Sequence, residues 1–183
     1  MCQILGMNAA RPTDFCFSFK GFAERGGRTD KHSDGWGLAF YEGKGLRTFT
    51  DPTPSCDSRI ATLLTNMPIR THNMISHIRM ATTGAVLLEN VHPFQRELWG
   101  IQWCFCHNGD LPHFADQHPS LGKRGQGGEA EGEGREGLSP STTRRKECAT
   151  RRFNPVGTTD SEAVFCEILN AVEHKFCEYQ ASL

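Results

Sequence analysis

The run GKRGQGGEAEGEGREGLSPSTTRRKE, residues 122–147, limits what this chain can build more than any other feature. It has almost no large apolar side chains and no hydrophobic period, so burial cannot offset the entropy cost of ordering it. It reads as a disordered surface insertion spanning about 119–152. Gly, Glu, Lys and Arg dominate 122–137, and all four have purine-only codons. Translated purine-rich non-coding sequence is therefore a competing origin for the segment. Packed structure has to come from the flanks.

The flanks carry strand and helix patterns. Residues 2–7 form a short apolar strand candidate, and TDFCFSF is ambiguous between alternation at Phe15, Phe17 and Phe19 and a helix capped at Thr13-Asp14. DGWGLAFYEGKGLRTFT reads as a hairpin turning at Glu42 to Gly45. Ile60, Leu63, Leu64 and Met67 follow helical spacing, with Asp57 as the candidate cap and Pro68 as the stop. NMISHIRMA and IQWCFCH read as strands. Thr159 and Glu162 form a capping box for a helix that buries Val164, Phe165, Ile168, Leu169, Val172 and Phe176. Strands with helices mostly before and after them indicate an α+β fold.

A length of 183 residues suits one domain, and a net charge of -1 carries no nucleic-acid or membrane footprint. No apolar run approaches the ~20 residues that span a bilayer, and the N-terminus lacks the layout of an export signal. The expectation is a cytoplasmic protein. Eight cysteines are scattered at 2, 16, 56, 104, 106, 148, 166 and 177, a spacing that argues against a disulfide framework. CFCH at 104–107 is the one metal-like cluster, but no second Cys/His pair has zinc-finger spacing. Cys104 and Cys106, sharing a strand face, read as buried thiols, and no metal is expected.

Four short stretches carry chemistry. Cys2 follows Met1 directly, so removal of Met1 would give one residue both a thiol and a free α-amine. In SHIRMATTG, Arg79 sits beside backbone and hydroxyl donors, a set suited to gripping a carboxylate in bidentate fashion. In HNGDL, Asn108 and Gly109 offer an amide and an adjacent N–H to a developing oxyanion, though Asn-Gly is also an ordinary turn. In GTTDSEA, Asp160 could stabilise a helix N-terminus or pair with a substrate ammonium.

Taken in order, MCQILGMN, DGWGLAF, HIRMATTG, NVHPF, HNGDL and GTTDSE resemble the class II glutamine amidotransferases, of the N-terminal nucleophile hydrolase superfamily. The likeness is to the stand-alone bacterial-type branch and covers residues 2 to about 114 and 153 to about 172. The resemblance implies that Cys2 is the nucleophile and that Arg79 and Thr82 bind the glutamine α-carboxylate. It also implies that Asn108 and Gly109 form the oxyanion hole, that Asp160 binds the α-ammonium, and that His92 lies on a substrate-side loop. Thr83 stands where related enzymes have histidine. The Cys2 amine would be the general base for its thiol, directly or through water, their reference pKa values being close at ~7.7–8.0 and ~8.5.

The implied fold is a four-layer α/β/β/α sandwich, incomplete at its C-terminus, occupying residues 2–183 around the insertion. The implied reaction cleaves glutamine or another γ-glutamyl compound through a thioester, without a cofactor; no protein partner is specified. The competing reading is a truncated, inactive isoform or gene-model product acting at most as a binding protein.

Overall fold

The structure, a computed structural model, describes residues 1–82, 84–111, 114 and 151–176. Thr83 and nearly all of the expected insertion lie outside the described residues. β1 (Gln3–Asp14), β2 (Trp36–Glu42), β3 (Gly45–Asp51) and β4 (Arg70–Ile78) form an antiparallel sheet in the order β1-β4-β2-β3. β5 (Phe94–Leu98) and β6 (Ile101–Phe105) form a second antiparallel sheet.

Period-two alternation sorts the side chains of the larger sheet. Trp36, Leu38, Phe40, Met74 and Ile78 pack with Phe15, Phe19 and Phe22 of the α1 region (α1, Cys16–Ala23) and with Ala61 and Leu64 of α2 (Arg59–Thr65). The opposite face meets the second sheet, where Tyr41 Oη donates to the Gln102 carbonyl at 2.8 Å and Thr48 Oγ1 donates to Gln95 Oε1 at 2.8 Å. The far side of that sheet packs Phe94, Leu98 and Phe105 on Phe165 and Leu169 of α3 (Asp160–Lys175). The layer order is helix, sheet, sheet, helix, as the resemblance implies.

Local departures have physical causes. TDFCFSF resolves as helix: Phe15 and Phe19, one turn apart, are buried while Phe17 is exposed, and Asp14 Oδ1 accepts the Cys16 N–H at 2.7 Å. The cap of α2 is Ser58, whose Oγ accepts from Ala61 N, in place of Asp57. Of the expected α2 stripe only Leu64 is buried, because Ala61 rather than Ile60 or Leu63 faces α1. On α3, Ile168 and the capping residue Phe176 are exposed, so the covered stripe is narrower than expected. Its capping box is half formed: Thr159 accepts from Glu162 N, while the Glu162 carboxylate turns to the Gly157 N–H and to Arg96. Strand β5 was not anticipated. Among the described residues, no helix is long and apolar enough to cross a membrane.

Candidate active site

The register of the larger sheet puts Cys2 beside the end of β4. Gln3 pairs with Ile78, so the residue before it falls next to Arg79 and Met80. The Cys2 thiol donates to the Met80 carbonyl at 3.4 Å, and the Met80 N–H donates back to Sγ at 3.4 Å.

Arg79 is buried, with 3% of its surface exposed. Its guanidinium donates to the carbonyls of Ala85 at 3.0 Å and Gly84 at 3.1 Å, which pins the loop after β4. Burial lowers its pKa, and the nearby charges of Asp34 and Cys2 oppose that shift. Asp34 is itself fixed by the Ala81 N–H, at 2.7 Å from Oδ2.

Two further segments close on this corner. Thr82 Oγ1 donates to Asp110 Oδ1 at 2.7 Å, tying the loop after β4 to the loop after β6. Within that second loop Gly109 holds φ +138°, a region that L side chains adopt only under strain. Asp160, the first residue of α3, accepts the Leu111 N–H at 2.9 Å and the Ser161 N–H at 2.8 Å. His107 Nδ1 lies 3.0 Å from Ser161 Oγ.

Cys2, Arg79, Thr82, His92, Gly109 and Asp160 border one cavity of about 30 Å³. That is the space of about one water molecule, so admitting an amino acid requires the surrounding loops to part. Asn108 does not border it. It lines, again with Cys2, an open cleft of about 660 Å³ on the other side of the thiol, together with Ser18, Phe22 and Arg25. The thiol thus stands between a small polar cavity and a larger cleft.

Behind Cys2, between the sheets, lie two buried histidines. Burial is the main cause that lowers the pKa of His77 to about 4, with Arg79 adding to it and a contact from the His107 backbone opposing it. Burial lowers His92 to about 2, with His77 and Arg79 contributing. Both rings are held neutral near pH 7. Gly37 makes this layer possible: a Cβ there would lie 2.2 Å from the His92 carbonyl oxygen.

Cys104 and Cys106 are not at the site. Cys104 lies on β6 and Cys106 just past its end. Burial pushes the Cys104 thiol up to about 12 and Cys106 higher still, so both stay protonated. Among the described residues no group of three or more His, Cys, Asp or Glu side chains could hold a metal ion.

Sequence reasoning missed Asp34, His107, Asp110, Ser161 and His32, all of which brace the corner. DGWG was read as the start of a hairpin and as part of the resemblance, with no role given to Asp34, although an acidic residue before a tight glycine is a ready acceptor for neighbouring N–H groups. The others act through tertiary contacts that no local pattern reveals.

Two antiparallel sheets face to face with helices outside both, and a cysteine leading the first strand into a polar corner, define the mixed α/β architecture of the N-terminal nucleophile amidotransferases. A profile of the family described as "Glutamine amidotransferases class-II" matches residues 1–127 and 139–183, and the chain belongs to that family. It is 44% identical over 176 residues to YafJ of Escherichia coli (strain K12), provisionally named a glutamine amidotransferase, covering 96% of this chain and 57% of that protein. A Haemophilus influenzae protein of the same provisional name is 41% identical over 176 residues, covering 96% of this chain and 49% of that protein. The chain thus spans about half the length of these curated relatives. A 2.0 Å crystal structure of a Pseudomonas aeruginosa PA01 protein, called a glutamine amidotransferase by prediction, superposes with TM-score 0.53 at 37% identity, covering 96% of this chain and 56% of that one.

Proposed function

We propose that this chain carries a glutamine-cleaving active site whose nucleophile is Cys2, within a single amidotransferase domain over residues 2–183 interrupted at about 119–152. Removal of Met1 would expose the Cys2 α-amine, which takes the thiol proton. The thiolate attacks the side-chain amide carbon of glutamine, or of a related γ-glutamyl amide. The Asn108 amide and Gly109 N–H stabilise the oxyanion, the amine returns the proton to the leaving nitrogen, and ammonia departs. Water then hydrolyses the γ-glutamyl thioester to glutamate. Arg79 and Thr82 bind the α-carboxylate, Asp160 the α-ammonium, and His92 bounds the pocket from behind.

The observation that carries this reading is the shared cavity: a thiol, a buried guanidinium and a carboxylate at a helix N-terminus border the same small space. Opposite charges flanking a nucleophile suit the two ends of an amino acid. Family membership and the matched relatives support the same substrate class.

The test is intact-mass analysis before and after exposure to a glutamine-mimicking electrophile. The expected result is protein beginning at Cys2 that gains one adduct, with Cys2→Ser gaining none. Full glutaminase activity in protein retaining Met1 would overturn the mechanism.

A further inference from the structure

His32 is a buried histidine that the reaction above does not use, with 7% of its surface exposed. Its Nε2 lies 2.6 Å from the Met1 carbonyl oxygen. A carbonyl only accepts, so Nε2 carries the proton in that contact. Its Nδ1 lies 3.3 Å from Asp30 Oδ1, within ion-pair range but outside hydrogen-bonding geometry. Asp30 is held in turn by the Lys31 N–H at 2.8 Å and by Gln3 Nε2 at 2.7 Å, and Arg25 donates to Gln3 Oε1 at 3.2 Å. The two residues flanking Cys2 are therefore gripped by one chain of contacts through the 30–32 segment.

The carbonyl that His32 meets belongs to the peptide bond that Met1 removal cleaves. Its oxygen and the Cys2 nitrogen share one carbon, at ~1.23 and ~1.33 Å, which puts them roughly 2.2 Å apart. When Met1 leaves, Nε2 loses its acceptor and the α-amine takes over the adjacent position. We propose that His32 is a positioning residue for the N-terminal amine of the processed protein, a role resting on the Cys2 nucleophile reading. The imidazole switches tautomer. Nδ1–H donates to Asp30, and Nε2 accepts one N–H of the amine, leaving the nitrogen lone pair aimed at Cys2 Sγ. The thiol proton passes to that lone pair, giving thiolate and ammonium; His32 itself gains and loses no proton. Asp30 and the 30–32 segment thus serve the processed form, and their contact with Met1 is the unprocessed form of the same arrangement.

The test compares alkylation of Cys2 by iodoacetamide at pH 7 in two forms of the 183-residue chain. One begins at Cys2; the other retains Met1 through expression with a methionine aminopeptidase inhibitor, and both are verified by mass. In the processed form, His32→Ala should slow alkylation about tenfold and His32→Gln, which keeps an acceptor, by no more than about threefold, the scale of one hydrogen bond. In the Met1-retaining form His32→Ala should leave the rate unchanged, because no free amine stands beside the thiol. Equal slowing in both forms would make His32 merely structural and overturn the proposal, as would an unchanged rate in the processed form. Ammonia release by Cys2→Ser would instead sink the nucleophile reading. That outcome is separate from the alkylation result.

Discussion

The rings of His77 and His92 stand 4.2 Å apart between the two sheets, tilted by 34°. Neither ring has a hydrogen-bond partner of good geometry, and both are almost fully buried. Burial would strip a charged imidazole of its water, and Arg79 would add repulsion, which is why both stay neutral.

Stability should therefore fall as pH drops from about 6.5 to 5. The folded-state pKa of each ring lies below the unfolded value, so the unfolded chain binds the proton first and acid favours unfolding. Across that window each histidine costs up to about 2 kcal/mol, before carboxylates begin to titrate. Denaturant unfolding at several pH values checks this, and His77→Phe should remove about half the slope. A flat profile would show that the rings are not held neutral.

Arg79→Lys should weaken use of glutamine by about 1.5–3 kcal/mol in kcat/KM, because an ammonium cannot reproduce the planar fork. It would also release the carbonyls of Gly84 and Ala85. Unchanged kinetics on glutamine would remove Arg79 from the site.

Ser58→Ala should destabilise the fold by about 1 kcal/mol through loss of the α2 cap and of the hydrogen bond from Ser58 Oγ to Asp51. Asp57→Ala should be close to neutral, because Asp57 does not cap the helix. Chemical denaturation of the pair separates the two; equal losses would contradict the cap assignment.

Gly37→Ala should cost on the order of 1–3 kcal/mol or more, since the new methyl meets backbone that cannot swing aside. Gly21, inside α1, has open space around it, and Gly21→Ala should be neutral or stabilising by up to about 1 kcal/mol. Thermal melts should show a lowered midpoint for Gly37→Ala and an unchanged or raised one for Gly21→Ala.

The strings that bring Arg79, Thr82, Gly109 and Asp160 to one cavity with Cys2 were legible as short distinctive segments, whereas Asn108, read together with Gly109, lines the cleft on the other side of the thiol. β5 was not legible, because Gln95, Arg96 and Glu97 look like a surface loop until their partners are known. Thr48 meets the first, Glu162 the second and Arg152 the third. On α2 the spacing identified a helix but not its inner face. Ile60, Leu63 and Met67 fit the period as well as Leu64, and only packing against α1 chooses among them. Asp57 and Ser58 are both good caps, and one residue of register decides which is used.

The corner that gathers Cys2 and Asp160 joins nearly opposite ends of the described chain. Translation delivers the thiol among the first residues and the start of α3 only after both sheets have been made. A domain grows from its N-terminus during synthesis, so the cysteine spends most of that interval without its cavity. A nascent chain halted before residue 160 would carry the thiol without the helix whose first residue closes this cavity. α3 follows both sheets in the chain, so the cavity beside Cys2 is completed late in synthesis.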